Sequence, residues 1–511
     1  MNKFLKNNLL IISVFITGAC VLIVEVVAVR VLSPHYGNTI FTVSGVISVI
    51  LAALSIGYYI GGRFADRHPS LEWFFGIIIA SGILILVFHF LGKIILPMLS
   101  INLSIVSGPL ISSLLLFFTP ALLLGTLSPY AIKLQSIQAS EQGVGSVSGK
   151  IFFWSTLGSI TGSLLAGFVL IPHFGIDNIF IATGIILFII GFIPLLSLNF
   201  DRKRLVQLFL IFVALSSITI LTVQKMRVNN LYSKDGIYEK ITIYDGILKD
   251  RPTRFFQQDI SSSSAMFLDS NDQTDLVYEY SKYYSLYKIF KPEVQNALII
   301  GGGAYSIPKA LLAELPDAKI DVSEIEPSLF FLAKKYFNLG DNPNLHNYIE
   351  DGRRLLRDSN KKYDLIFSDV FHSFSIPVHF ATQEFFSITK EKLNNEGILI
   401  VNLVGDLSKQ KLVFAFVEMK TFQSIFPNSY FFAVESPEKT GSQNIILVGY
   451  NSYKKIDFSA PSILQNPDPI LSSLRDKEIK SDEFDLSPYP ILTDNFSPVD
   501  YLTAKFLQRN F

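Results

Sequence analysis

The chain has 511 residues, half of them hydrophobic, and its 43 Lys and Arg residues balance 43 Asp and Glu residues. This composition excludes a disordered protein and a basic protein that coats nucleic acid. The single cysteine, Cys20, excludes an internal disulfide and a metal site built from several thiolates.

Charge is unevenly distributed along the chain, since residues 1–200 hold only 13 of the 86 charged side chains. This part contains apolar stretches long enough to cross about 30 Å of hydrocarbon as helices that rise about 1.5 Å per residue. The sequence therefore predicts an α-helical, multi-span membrane bundle of about seven helices within residues 1–224. The predicted spans are 9–31, 40–62, 73–96, 109–132, 151–172, 177–198 and 205–223.

Positive charge flanks alternate loops between these spans. The residues concerned are Lys3, Lys6, Arg63, Arg67, Lys133, Lys150, Arg202, Lys203 and Arg204. By the positive-inside rule, the chain is a multi-pass protein of the cell membrane with a cytoplasmic N-terminus. Seven spans would leave the remainder outside the cytoplasm, so the side of the C-terminal domain stays open. Glu25 lies within the first span, where its charge indicates either a role or a contact with the membrane interface.

The pattern changes beyond Lys225, where short β-branched runs between turn residues predict a small antiparallel β unit over 225–290. From residue 291 to 511, strands alternate with helices. This succession predicts a doubly wound α/β domain with a parallel, Rossmann-like sheet of the methyltransferase type and a ligand crevice at the carboxyl ends of its strands. The predicted strands include Ala297–Ile300, Lys319–Val322, Leu365–Phe367 and Ile398–Val401.

A glycine run, Gly301 to Gly303, directly follows the first of these strands and precedes a helix. Such a turn lets a nucleotide approach the backbone, and Glu324 follows about 20 residues later, where an acid can accept both ribose hydroxyls. The loop suits an adenosine without phosphates, because the sequence has no Gly-Lys-Ser/Thr triphosphate cradle. The alternative is a simple glycine turn with solvated carboxylates.

Two further aspartates, Asp351 (followed by Gly352) and Asp369, come at the ends of the next predicted strands. Either could be a helix cap or turn former, but both would project into the crevice, and a carboxylate near the reacting centre could accept a proton from an attacking amine. His372 and His379 in the following loop are either ligand contacts or plain loop residues. A helical His pair with a carboxylate is missing, so no metal is expected.

Several stretches together resemble one known family, the membrane-anchored, spermidine synthase-like proteins, in which a multi-span region is fused to a polyamine aminopropyltransferase domain. The matching stretches are Glu25–Gly37, Gly57–Arg67, Leu276–Tyr280, Gly301–Pro308, Asp369–His379 and Leu492–Val499. The resemblance covers nearly the whole chain. It implies transfer of an aminopropyl group from decarboxylated S-adenosylmethionine, a cosubstrate rather than a prosthetic group, to an amine such as putrescine, with release of methylthioadenosine.

The resemblance also implies roles for individual residues. Asp369 would be the catalytic proton acceptor. The nucleoside would be bound by Gly301, Gly302, Gly303, Glu324, Asp351 and Gly352, and the substrate by Tyr280, Tyr305, His372 and His379. The implied partners are a small amine, an adenosyl sulfonium and the lipid bilayer, without nucleic acid and with a homodimer left open.

The sequence departs from soluble spermidine synthases at two positions, with Ala304 and His372 where those enzymes have aspartates. Two anionic contacts for a cationic substrate are therefore missing, unless Tyr280, Glu326, Glu350 or another group replaces them. Two alternatives follow. One is a methyltransferase that uses S-adenosylmethionine itself, and the other is a membrane protein that transports or senses a polyamine and whose second domain only binds nucleoside.

Overall fold

A computed structural model of the chain describes residues 3–138, 141–197, 202–226, 230–259, 261–371, 376–408, 413–480 and 484–510. The chain divides into two compact units. Unit 1 comprises residues 1–229 with 234–240, and unit 2 comprises residues 230–233 with 241–511. Division into a small β unit at 225–290 and a Rossmann-like domain at 291–511 remains our proposal.

Unit 1 is helical. Its helices span Lys3–Tyr36, Ile40–Arg67, Leu71–Asn102, Ser107–Leu116, Phe118–Gln138, Val144–Leu165, Ile171–Phe174, Ile176–Ser197 and Arg202–Met226, with a π-helical turn at Ala166–Leu170. Two of them begin with a side-chain cap, because the hydroxyls of Thr39 and Ser70 accept the backbone N–H groups of Thr42 and Trp73. Close packing depends on small residues, since a Cβ at Gly61 would clash with Thr126.

Five of the described helices are long and apolar enough to cross a membrane, and a pair bent by 57° at Phe117 adds one more if it forms a single span. These helices coincide with the first six predicted spans. The seventh predicted span, 205–223, falls on the helix Arg202–Met226, which packs on the preceding helix through stacked Phe188 and Phe212 rings 3.8 Å apart. Whether this last helix crosses a membrane stays a prediction.

The helices are followed along the chain by a small sheet of four strands in the order β1-β2-β3-β4. The strands are β1 (Tyr232–Asp235), β2 (Lys240–Leu248), β3 (Arg251–Gln258) and β4 (Ser261–Phe267). Strands β2, β3 and β4 pair antiparallel through consecutive hairpins. The predicted antiparallel unit is therefore present in this region.

A seven-stranded sheet follows, in the order β10-β11-β9-β8-β5-β6-β7. Its strands are β5 (Asn296–Ile300), β6 (Lys319–Ser323), β7 (Leu345–Tyr348), β8 (Tyr363–Ser368), β9 (Leu393–Gly405), β10 (Ser429–Ala433) and β11 (Gln443–Tyr450). The order reverses between β5 and β8, which makes the carboxyl ends of these two strands the topological switch point where ligands bind in such sheets.

The Rossmann-like, methyltransferase-type fold is confirmed, but the sheet is not wholly parallel. Strand β11 pairs antiparallel with both β9 and β10, so within this sheet it alone runs against the rest. Apolar clusters on both faces bury the sheet. Its helices are Ser306–Glu314, Leu329–Tyr336, Gly352–Asp358, Gln383–Glu391, Phe414–Ile425 and Val499–Asn510, with shorter turns at Glu279–Leu286, Tyr287–Phe290, Val378–Phe380, Pro461–Leu464, Pro469–Ser472 and Leu474–Lys477.

Candidate active site

The glycine loop after β5 lies at the switch point of the sheet. Gly301 has φ of 92° and Gly303 has φ of 52°, a backbone region that residues with a Cβ rarely adopt. A Cβ at Gly301 would also clash with the backbone oxygen of Asp369 at the end of β8. The glycines therefore allow the ends of β5 and β8 to come together. The approach of a nucleotide to this loop stays a prediction.

Glu324, directly after β6, holds this loop in place. Its Oε2 atom accepts the backbone N–H groups of Gly302 at 2.8 Å and Gly303 at 3.3 Å, and its Oε1 atom accepts that of Glu326 at 2.8 Å. The side chain is buried. Glu324 thus lies where the sequence places it and has a structural function that the sequence did not indicate. Its contact with a ribose stays a prediction.

Asp351 begins the helix Gly352–Asp358, so the capping alternative is realised for this residue. Its Oδ1 atom accepts the backbone N–H of Arg354 at 2.9 Å, while Oδ2 lies 2.9 Å from His379 Nε2. Burial by itself raises the pKa of Asp351, but the hydrogen bonds from His379 and Arg354 outweigh burial and the net pKa is lowered. The structure therefore brings two predicted site residues, Asp351 and His379, into contact with each other.

Gly352 is the first residue of the helix that Asp351 caps, and it packs tightly against β5. A Cβ at this position would clash with the side chain of Ile300 at the end of β5. This glycine therefore places the capped helix end against the strand that leads into the glycine loop. A direct contact of Gly352 with a nucleoside stays a prediction.

Asp369 stands at the end of β8, beside the glycine loop, and its side chain is half-buried. Its backbone N–H donates to Ile300 at 2.9 Å, and its Oδ1 atom accepts the side-chain amide of Asn402 at 2.9 Å. Burial raises the pKa of Asp369, and its contacts with the Asn402 amide and the Tyr280 hydroxyl counteract that increase in part. The result is a carboxylate held at the switch point with a raised affinity for a proton.

Tyr280 connects the small sheet to Asp369. Its hydroxyl donates to the backbone oxygen of Ser263 on β4 at 2.9 Å, and its ring stacks on Tyr278 at 6.2 Å. Burial, with the negative charge of Asp369, raises the pKa of Tyr280 well above its ordinary value, so this phenol is a neutral hydrogen-bond donor. The role in substrate binding that the sequence analysis assigns to Tyr280 stays a prediction.

Tyr305 requires a correction. The sequence analysis assigns it to substrate binding, but its side chain is completely buried. The residue adopts φ of 59° at the start of the helix Ser306–Glu314, which turns its ring against Phe330 and its hydroxyl onto Asn347. In this position Tyr305 supports the loop from below. His372, the remaining predicted contact, lies outside the described residues.

Sequence reasoning missed two polar residues at this site, Asn402 on β9 and Asn444 on β11. The amide of Asn444 donates to the side-chain oxygen of Asn402 at 2.9 Å, and Asn402 in turn donates to Asp369. One signal was available, because Asn402 directly follows the apolar run predicted as a strand. A polar residue at the end of a buried strand commonly faces a polar partner.

A further contact that the sequence did not reveal involves Asp494, in the segment Leu492–Val499 near the C-terminus. Asp494 pairs with Arg353 through two hydrogen bonds of 2.7 and 2.6 Å and also accepts from Thr382 at 2.8 Å. This pairing ties the segment Leu492–Val499 to the helix that Asp351 begins. The carboxylate of Asp494 is thus already paired with the guanidinium of Arg353.

Comparison with known proteins relates one part of the chain to a known family. Residues 284–460 match the family described as the spermine/spermidine synthase domain. Residues 284–460 therefore resemble a spermine/spermidine synthase domain. A polyamine aminopropyltransferase from Vibrio vulnificus (strain CMCP6) is 29% identical to it over 221 residues, which cover 42% of this chain and 72% of the relative.

A second relative reaches beyond the synthase domain. Polyamine aminopropyltransferase 1 from Streptomyces coelicolor is 25% identical over 380 residues, covering 71% of this chain and 69% of the relative. That alignment is longer than residues 230–511 together, so the likeness extends into the helical part. Among solved structures, a probable spermidine synthase from Corynebacterium glutamicum shares 19% identity, covering 47% of this chain and 88% of that structure with a TM-score of 0.40.

These matches confirm the predicted likeness to spermidine synthases and the predicted enzyme class, an aminopropyltransferase. They leave the donor, the acceptor amine and the membrane unspecified. The roles assigned to individual residues rest on the geometry above.

Proposed function

We propose that the protein is a membrane-anchored aminopropyltransferase that moves the aminopropyl group of decarboxylated S-adenosylmethionine to an amine such as putrescine and releases methylthioadenosine. One observation carries the proposal. The carboxylate of Asp369 is held at the switch point of the sheet, beside the glycine loop and in contact with Tyr280. This is where a nucleoside and a reacting group meet in sheets of this type.

The chemistry needs little more than that arrangement. A neutral amine attacks the methylene next to the sulfonium, a C–N bond forms, and the C–S bond breaks with its electron pair going to sulfur. The nitrogen then sheds one proton, which Asp369 accepts. Sulfonium is a good leaving group, so alignment of the reactants and one proton acceptor suffice.

Buried polar contacts support the use of Asp369 as the acceptor. A carboxylate whose pKa is raised by burial binds a proton more readily than one in water, which suits a general base. Other acids nearby are already engaged: Asp351 by His379, and Asp494 by Arg353. Asp369 contacts neutral donors, Asn402 and Tyr280, and therefore keeps its capacity to take up a proton.

The donor site supports an adenosyl group without a phosphate chain. Glycines line the loop after β5, and Glu324 stands beside them with a buried carboxylate. At Ala304, where soluble spermidine synthases have an aspartate, the backbone N–H donates to Ser264 Oγ at 3.4 Å. Ser264 of β4 therefore lies next to the position where the aspartate of soluble spermidine synthases is missing. For this reason the test below compares the two sulfonium donors directly.

Membrane anchoring is supported by composition and by the Streptomyces relative, whose likeness covers part of the helical region. Five described helices, or six with the bent pair, have the length and apolarity of spans. Their function in the proposal is to tether the synthase domain at the bilayer. A transport or sensing role would instead centre on charged residues such as Glu25 in the first helix.

The test is product analysis with purified protein in detergent. Incubation with putrescine and decarboxylated S-adenosylmethionine is expected to yield methylthioadenosine and spermidine in equal amounts. S-adenosylmethionine supplied instead is expected to give no methylated product, and methylation would favour the methyltransferase alternative. In cells, Asp369→Asn is expected to abolish the cellular phenotype that the wild-type protein confers, and Glu25→Gln is expected to leave that phenotype intact. The reverse pattern would favour the transport or sensing alternative.

A further inference from the structure

We propose that Asn402 and Asn444 form an amide relay that positions the carboxylate of Asp369 for the reaction. The relay consists of the side chains of these two asparagines and of no other residue. The inference rests on the proposed function, because it assigns positioning residues to the reaction described there. It concerns two residues that contact Asp369 directly or through one amide.

The position of Asn402 is unusual for its strand. Alternate side chains of β9 share one face of the sheet, and on that face Ile398 and Ile400 belong to an apolar cluster together with Ile446 of β11. Asn402 continues this face at the carboxyl end of the strand, with only 3% of its surface exposed. Burying an amide in apolar surroundings costs free energy unless hydrogen bonds satisfy it, so both ends of the side chain need partners.

The two hydrogen bonds fix which end of Asn402 faces the carboxylate. Its oxygen accepts from Asn444 at 2.9 Å, which leaves its amide nitrogen to donate to Asp369 Oδ1, also at 2.9 Å. An ionised carboxylate only accepts hydrogen bonds, so the nitrogen is the end that fits. Asn444 thus orients Asn402, and Asn402 orients Asp369.

Antiparallel pairing of β11 with β9 makes this arrangement possible. In the register, Asn444 faces Val404 and Ile446 faces Asn402, so the two asparagines lie diagonally on one face of neighbouring strands. The reversed strand therefore supplies a polar partner from beyond β9. The same side-chain pair would not form if β9 were the edge of the sheet.

The relay has a chemical consequence at Asp369. One carboxylate oxygen is held by the amide, which fixes the plane of the group and favours its ionised form, the form that can accept a proton from the amine. Tyr280 is the titratable side chain in contact with Asp369 among the described residues, and it is a neutral donor. Neither contact can supply a competing positive charge, so the relay affects orientation and proton affinity together.

A matched control exists at the opposite end of β8 and β9, the two strands that carry Asp369 and Asn402. Asn394 on β9 donates its amide to Asp364 Oδ1 on β8 at 2.8 Å, the same kind of contact as Asn402 with Asp369. Asp364 is buried but lies at the amino end of β8, away from the glycine loop. Asn394→Ala therefore removes an equivalent hydrogen bond without touching the proposed site.

The experiment compares Asn402→Ala, Asn444→Ala and Asn394→Ala with the wild type, with putrescine as acceptor. For Asn402→Ala we expect kcat to fall about 10- to 100-fold, the factor for one hydrogen bond to a charged group, with KM for the donor little changed. The acidic limb of the pH profile is expected to move to higher pH, since loss of the donor raises the pKa of Asp369 further. Asn444→Ala should show a smaller change in the same direction, and Asn394→Ala should retain the wild-type kcat and pH profile.

Equal kcat values and pH profiles for the Asn402 and Asn394 variants would overturn the relay, provided both elute as folded protein in gel filtration. A second measurement does not need turnover. Binding of putrescine in the presence of methylthioadenosine, followed by calorimetry, is expected to weaken in Asn402→Ala and not in Asn394→Ala. Absence of turnover in the wild type would contradict the proposed function alone, and the calorimetry would still decide for or against the relay.

Discussion

Replacement of Asp369 by asparagine removes the proton acceptor while changing its surroundings little. The substitution keeps the shape of the side chain, and an asparagine oxygen at this position can still accept the hydrogen bond that Asn402 donates to the carboxylate. What is lost is the negative charge and the ability to take up a proton. The variant is therefore a direct test of the chemistry assigned to this residue.

The expected loss is large. General base catalysis contributes about 10²- to 10⁴-fold to rate, which corresponds to about 3–5 kcal/mol of transition-state stabilisation. Since the packing and the hydrogen bonds are retained, we expect this loss to appear in kcat, with KM for the sulfonium donor nearly unchanged. The assay is release of methylthioadenosine from decarboxylated S-adenosylmethionine and putrescine, measured by chromatography.

The same substitution should stabilise the fold at neutral pH. Burial raises the folded-state pKa of Asp369 above its ordinary value, so the protonated form is favoured in the folded protein. The associated stability is fully present below the ordinary aspartate pKa and is lost as the pH rises through the folded-state pKa. Asp369→Asn stays neutral, so its unfolding midpoint at pH 7 is expected to exceed that of the wild type, and the difference should vanish in acid.

Asp364→Asn is a control for the general effect of removing a buried negative charge. Asp364, on the same strand, accepts the backbone N–H groups of Gln295 at 2.9 Å and Asn296 at 3.0 Å and the amide of Asn394. Asp364→Asn is expected to lower stability and to leave kcat unchanged. A general base usually contributes at least about 100-fold to kcat. A loss of kcat smaller than about tenfold in Asp369→Asn would therefore refute the assignment of Asp369 as the general base.

Three further predictions address the loop, the cap and the membrane. Gly301→Ala should prevent folding of the synthase domain, because the added methyl clashes with the backbone of Asp369 and the glycine has positive φ; normal yield with full activity would contradict this. His379→Ala should raise KM for the donor about 3- to 10-fold with kcat retained, because Asp351 loses its partner; an unchanged KM would exclude His379 from the site. A reporter fused after Phe511 should lie in the cytoplasm, where sulfonium donors are made; an external reporter would contradict the proposed function.

Local patterns predicted the parts of the synthase domain that depend on neighbouring residues in the chain. Apolar, β-branched runs bounded by Gly or Asp marked β5 and β8, and the glycine run and Asp369 then followed at their carboxyl ends. The order of the strands converts these sequence neighbours into a shared site. This is why the residues Gly301 and Asp369 could be assigned to one crevice before the structure was known.

Features that depend on distant residues were not predicted. The antiparallel insertion of β11 leaves no local signal, because an apolar strand reads the same in either direction. The burial of Tyr305 follows from its left-handed backbone conformation at the start of a helix. A tyrosine rarely adopts this conformation, so the sequence does not predict it. The contacts of Asn402 with Asp369 and of Asp494 with Arg353 join segments separated by 33 and 141 positions, and one sequence alone does not reveal such pairs.

The central claim is that an adenosyl group is bound beside the glycine loop with the acceptor amine at Asp369. An experimental structure of the protein with methylthioadenosine and putrescine tests it most directly. The account predicts the nucleoside against Gly301–Gly303 and an amine nitrogen within hydrogen-bond distance, about 3 Å, of the Asp369 carboxylate. A nucleoside bound elsewhere, or an Asp369 side chain turned away from the amine, would contradict it.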